Sequence, residues 1–269
     1  TGNVAASFSL GTTTLNDVDT LAASTSGSVT FKDLDTLTVG SITGSSGIAA
    51  MAGISTWTSV TDSAPVSITT GGNLTVNQAI DTLAGTSSSV GTVTLSSAGN
   101  MVLNGSGNIQ SDGVVQLTAS SGIQTDADIT TTNDNVTLVS ATTLTGAVAI
   151  NTGSGAGTIA FNSTLNGGQN LTLTAGTGNI DFDAAVGNTA RLGILTIVSA
   201  TNVTADSSFT AASILQQTFS GTTTFTGAVN TNTAAGVNLT GNNLIVTAGI
   251  TTTTNGVLTT DLAGTAALA

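Results

Sequence analysis

Four times this chain sets two aspartates on either side of one apolar or small residue: Asp17/Asp19, Asp33/Asp35, Asp126/Asp128 and Asp181/Asp183. In extended chain, residues two apart share a face, so each pair is expected to present both carboxylates outward around an inward neighbour. Carboxylates stacked side by side either repel or share a hard cation, and oxygen ligands of this kind suit Ca2+. The first two pairs belong to one duplicated stretch, since the segment 14–21 recurs at 30–37 with an offset of 16 and five of eight positions identical. Asp17, Asp19, Asp33 and Asp35 are therefore the candidate metal ligands and Ca2+ the only candidate cofactor. Lys32 could neutralise the same cluster without metal, and the glycine-rich nonapeptide Ca2+ repeat is absent.

Paired carboxylates also do general acid–base work in glycoside hydrolysis, but such sites need aromatics on which sugars stack and usually a cationic partner. Aromatics make up 3% of this chain and most are Phe, which reads as core. There is no His and no Cys, so Ser–His and Cys–His nucleophilic arrangements are ruled out, and Lys32 is too isolated to replace them. The expectation is a protein that is not an enzyme. A net charge of −12, with Lys32 and Arg191 the only cations, argues against nucleic acid, whose binding needs clustered Lys and Arg.

The elements that must carry these residues are clearest over 170–183. Leu171 and Leu173 alternate with Thr172 and Thr174, and Ile180 and Phe182 alternate with Asp181 and Asp183. Between them, 175–179 is turn chemistry, in which glycine and asparagine tolerate positive φ. Weaker copies, each a turn Asn followed by an inward apolar residue, begin at Asn73, Asn100, Asn135, Asn202 and Asn238. Only 6% of residues are charged, against about 25% in ordinary domains. Val, Ile and Thr abound while Glu is missing, a composition that disfavours both helix and disorder.

From residue 66 onward strand signals recur at intervals that suit a β-sandwich or a β-solenoid. A sandwich normally fills its core with large aromatics and faces water with Lys and Glu. A parallel solenoid stacks like on like and tolerates Thr, Ser and Asn ladders. The expected fold is accordingly all-β: a right-handed parallel β-helix of about 20 residues per coil and about a dozen coils, a rod about 60 Å long. It is expected to be a single solenoid over 1–269, with an irregular insertion about 40–66 that forms a loop or short helix anchored by Trp57. The threonine runs at 12–14, 130–132, 222–224 and 251–254 are read as outward β-branched residues, too irregularly spaced for an ice-binding array. Asn-x-Ser/Thr occurs at Asn73, Asn104, Asn135, Asn162, Asn170, Asn202 and Asn238, acceptors for glycosylation if the source glycosylates secreted proteins.

No run approaches the roughly 18 apolar residues of a membrane span, and no charged leader with an apolar stretch opens the chain. The first residue is Thr1, which suggests a removed leader or a segment of something longer. Nothing near residue 269 reads as a polar cap. The solenoid ends are expected to be open and to need a neighbour, either further repeats or another copy.

At 170–180, and again at 241–248, the chain resembles the central repeats of filamentous-haemagglutinin-like bacterial adhesins and related giant surface proteins. The resemblance extends over most of residues 66–260. It implies a secreted, extracellular shaft segment serving attachment or matrix, and it supplies no binding residue. The family's secretion domain, with its Asn-Pro-Asn motifs, has no counterpart here, where Pro65 is the only proline. A free-standing subunit that polymerises end to end is the alternative, and a polysaccharide-active β-helix enzyme the third reading.

Overall fold

The structure, a computed structural model, describes residues 8–11, 16–44, 49–57, 63–83, 90–218 and 220–268. Among them every long-range strand pairing but one is parallel, and the strands stack into a β-solenoid of about 11 turns with roughly 22 residues per turn. At about 4.8 Å per turn the column is about 50 Å long. A representative turn runs through Val93–Ser97 on the first face, Met101–Leu103 on the second and Ile109–Ser111 on the third. The next turn repeats this at Val115–Ala119, Ile123–Thr125 and Ile129–Thr131. Corresponding strands of successive turns therefore pair in parallel, each with its counterpart one turn on.

Register aligns like with like. On the first face Val29, Val66, Val93, Val115, Val136, Ile159, Ile180 and Val203 form one inward column. All of these residues are buried. Beside it runs Phe31, Ile68, Leu95, Leu117, Leu138, Phe161, Phe182, Ala205, Phe225 and Val246. The column narrows to a methyl group at Ala205, and Phe209 fills the space from the adjoining face. Its ring lies 5.2 Å from Phe182 and 6.0 Å from Phe225, edge-on to both, while Phe161 and Phe182 stack in parallel at 5.3 Å. Such contacts add about 0.5–1.5 kcal/mol each beyond area burial.

Buried hydroxyls close the corners. At the end of the third-face strands, Thr56, Thr82, Ser111, Thr131 and Thr152 all point inward and are at most 2% exposed. Each donates to a carbonyl in the turn that follows: Thr56 to Ala64 at 2.5 Å, Thr82 to Gly91, Ser111 to Gly113 at 2.8 Å, Thr131 to Asp134 at 2.5 Å and Thr152 to Gly157 at 2.6 Å. An interior carbonyl left without a donor costs about 1–3 kcal/mol, so a small inward hydroxyl is the residue a tight corner requires. The expectation that threonine runs face outward is corrected here. The middle residues Thr131 and Thr223 are core, and the run 12–14 lies outside the described residues.

The insertion also differs from expectation. Ser41–Ile42 and Met51–Ala52 pair antiparallel as a short hairpin, and Ile54–Ser55 then rejoins the third face. Alternation is weak there because two-residue strands carry too few positions to show a period. Trp57 is half-buried beyond the hairpin, and its indole nitrogen is buried without a hydrogen-bond partner. Nor is the 16-residue offset the structural step: Thr20 lies opposite Thr38 and Phe8 opposite Val29. Asn238, read as a turn residue, sits within the strand Val237–Gly241.

Candidate functional site

The four candidate Ca2+ ligands occupy the corner between the first and second faces of the opening turns. Asp17, Asp19 and Asp35 are exposed, but Asp33 is 1% exposed and Leu34 is 51% exposed, the reverse of the outward pair expected from the sequence. The strand Val29–Asp33 buries Val29, Phe31 and Asp33, so Asp33 continues the inward face instead of leaving it. Its Oδ1 accepts the Val18 amide at 3.2 Å and its Oδ2 the Asp35 amide at 3.4 Å; in the following turns Thr70 and Ser97 hold the same register position, their hydroxyls donating to the carbonyls of Gly72 and Asn100. Lys32 is half-buried on the outer face opposite Thr69. Among the described residues no three carboxylates converge as metal ligands do.

The other two pairs do flank buried residues, Ala127 and Phe182. Asp128 accepts the Ala149 amide of the next turn at 2.7 Å. Asp181 stands beside Asp183 and near Asp206 of the next turn. Burial holds its carboxyl above the ordinary carboxylate range, the charges of Asp183 and Asp206 push the same way, and a hydrogen bond with Thr204 pulls against them.

Polar side chains elsewhere join turn to turn. Just before the first-face strands, Asn135 Oδ1 accepts the Thr158 amide, Thr158 Oγ1 that of Asn179, Asn179 Oδ1 that of Asn202, and Asn202 Oδ1 that of Thr222, at 2.8, 3.4, 3.2 and 2.9 Å. Asn243 repeats this with Thr265 at 3.0 Å. This ladder carries sheet hydrogen bonding round a corner where backbone pairing lapses. Arg191 staples three turns, Nη1 donating to the carbonyls of Ala211 and Asn230 at 2.9 and 3.0 Å and Nη2 to Asn230 Oδ1 at 2.6 Å. The sequence gives no sign of this role, because its partners lie 20 and 39 positions away.

The surface best fitted to a function is the terminal cross-section of the column. Ile250–Thr252, Leu258–Leu262 and Ala266–Leu268 pair on one side only, with the preceding turn. Leu258 continues the column of Ile214 and Val237, which are 1% and 0% exposed, yet is itself 41% exposed. Leu268 follows Phe225 and Val246, at 3% and 2%, and is 62% exposed. Between them lies a hollow of about 250 Å3 lined by Val246, Gly249, Ile250, Leu258 and Leu268. Core residue types thus persist on a face open to water, beside unpaired strand edges. At the opposite end the strand Phe8–Leu10 pairs with Val29–Asp33, its one partner among the described residues, and Leu10 is 39% exposed.

No helix among the described residues is long and apolar enough to cross a membrane. Comparison with protein families, with characterised proteins and with solved structures found no match to this chain.

Proposed function

We propose that this chain is a length of structural shaft in a secreted bacterial surface fibre or adhesin, with a mechanical and not a catalytic role. One observation supports the reading: inward columns of like residues run turn after turn along the described solenoid, Val29 to Val203 in one and Phe31 to Val246 in the next, so the chain builds one repeated cross-section along an axis. A parallel solenoid is suited to this, because each added turn buries the apolar slice of the last and pairs its strand edges. The residue supply agrees, since a chain without His, Cys, Tyr or Glu is poorly equipped for acid–base or nucleophilic work. The extracellular, adhesin-like setting rests on the resemblance of 170–180 and 241–248 to haemagglutinin-like repeats.

The same cross-section favours a second reading, a subunit that stacks end to end on copies of itself. Such a contact is heterologous and need not close, so its product is a filament. Labelling intact producing cells with an antibody to this chain, and weighing the native polypeptide it captures, tests both. Surface labelling of a polypeptide far larger than 26.0 kDa supports the shaft, and surface labelling at 26.0 kDa supports the subunit. Labelling only after cells are permeabilised would overturn both.

A further inference from the structure

The second and third faces meet at a corner whose outer positions stack turn on turn. Asn104 lies there between Asn77 of the turn before and Asp126 of the turn after, its amide donating to the Val76 carbonyl and the Asp126 amide to the Leu103 carbonyl, at 3.0 and 3.1 Å. Its side-chain Nδ2 donates to Asn77 Oδ1 at 2.5 Å. The chain then turns through residues 104–107, closed by the Gly107 amide on the Asn104 carbonyl at 2.5 Å. Asn104, Gly105 and Ser106 are exposed. In a turn of this kind the amide of the second residue points away from the ring, and that of Gly105 donates to no described residue.

We infer that the peptide link between Asn104 and Gly105 is a self-modification site, at which the asparagine is converted to aspartate and isoaspartate with water as the only co-reactant. The Gly105 nitrogen gives up its proton to hydroxide and attacks Asn104 Cγ. A C–N bond forms, the Cγ–Nδ2 bond breaks, and ammonia leaves with a proton taken from water, so a five-membered cyclic imide remains. Water then opens the ring at either carbonyl, giving aspartate or, with one methylene carbon more in the backbone path, isoaspartate. Nothing is oxidised or reduced. Glycine favours ring closure because it sets no Cβ beside the attacking nitrogen.

Asn precedes Gly at two other places, and there the fold engages the same atoms. Asn166 is 9% exposed, its Oδ1 accepts the amides of Thr189 and Ala190 at 3.0 and 3.3 Å, and the Gly167 amide donates to the Ala190 carbonyl at 3.1 Å. The Gly256 amide donates to the Thr253 carbonyl at 3.0 Å, and Asn255 is held at a φ of 58°. At both, a local opening must precede attack. The product at 104 matters to the column. A carboxylate has no hydrogen to give Asn77 Oδ1 and stands in register beside Asp126, so the corner loses a bond between turns and gains a like-charge pair. The corner therefore loosens as the chain ages, whatever the shaft serves.

Ageing the whole chain in mildly alkaline buffer and mapping its peptides by mass spectrometry tests the inference. Each conversion adds about 1 Da, or about 3 Da in heavy-oxygen water, and the fragment from Asp81 to Asp112 carries Asn104 but neither Asn166 nor Asn255. In the folded chain Asn104 should convert at least about tenfold faster than the other two, and in urea all three should convert at similar rates. Gly105→Ala, whose added Cβ would lie at an ordinary contact distance of 3.5 Å from Asp126 Oδ2, should fold and slow the conversion about tenfold or more. The aged chain should melt below the fresh one, and Asn104→Gln should show no such fall with age. Circular dichroism checks that each variant is folded. Conversion of Asn104 no faster than that of Asn166 or Asn255 in the folded chain, the same order of rates in urea, or an unchanged rate in folded Gly105→Ala overturns the proposal. An aged chain that melts with the fresh one overturns its structural consequence.

Discussion

Arg191 and Asn230 are 39 residues apart in sequence and in contact in space, the guanidinium Nη2 donating to the Asn230 amide oxygen at 2.6 Å. With Nη1 on two carbonyls, one of the chain's two cations ties its own turn to the next two. Charge-assisted bonds of this kind contribute about 1.5–3 kcal/mol each before desolvation is offset. Arg191→Lys keeps the charge but loses the planar fork, and it is expected to cost about 2 kcal/mol in urea unfolding. A loss below about 0.5 kcal/mol would show that the staple is ornamental.

Phe209 answers a gap in a neighbouring column. Phe209→Ala should leave a void between Phe182 and Phe225 and cost about 3–5 kcal/mol. Ala205→Phe alone overpacks the same space, at about 1–3 kcal/mol. The double variant Ala205→Phe with Phe209→Ala should recover part of the loss, because one ring again occupies one site. Strict additivity of the two single changes in thermal unfolding would refute the shared-space account.

Buried hydroxyls bonded to corner carbonyls let threonine and serine enter the core. Thr152→Val preserves shape but strands the Gly157 carbonyl, and the expected loss is about 1–3 kcal/mol. Thr172→Val, on the outer side of its strand, should be within about 0.5 kcal/mol of neutral. Melting curves that do not separate the two variants would contradict the corner role.

Asp181 makes stability depend on pH in a set direction. Its folded pKa is raised, so the native state favours the protonated acid. That contribution is complete below the unfolded value of about 3.9 and is lost as pH rises through the folded one. Asp181→Asn should therefore match the parent in acid and melt at a higher temperature than the parent near neutrality. Asp17→Asn, exposed at the far end, reports the general effect of one charge fewer. Melting temperatures from pH 3 to pH 7 decide it, and an Asp181→Asn advantage no larger than that of Asp17→Asn at pH 7 would contradict the local cause.

Particular residues show how far the sequence could be read. Leu171, Leu173, Ile180 and Phe182 alternate without exception, and all four are buried. Asp33 departs from the outward Asp-x-Asp expectation because the alternation of Val29 and Phe31 continues through the strand and points the next odd position inward. The signal was present in the strand itself. Turn length was harder, since the corner between the third and first faces varies from turn to turn while that between the first and second faces does not. The loop between Val148–Asn151 and Ile159–Phe161 is longer than its counterpart between Leu171–Thr174 and Ile180–Phe182. The roles of Arg191 and Phe209 depend on which residues meet across turns, and a single sequence carries no record of that register.

The open cross-section is the central claim, and electron microscopy of the purified 269-residue chain across protein and salt concentration tests it most directly. Bare core at Leu258 and Leu268 should drive end-to-end contact, promoted by salt that screens the −12 charge. The expected result is rods about 50 Å long that join axially, with joining abolished in the folded variant Leu258→Asp/Leu268→Asp. Single, separate rods at every salt and concentration, unaffected by that double change, would contradict end-to-end contact through this face.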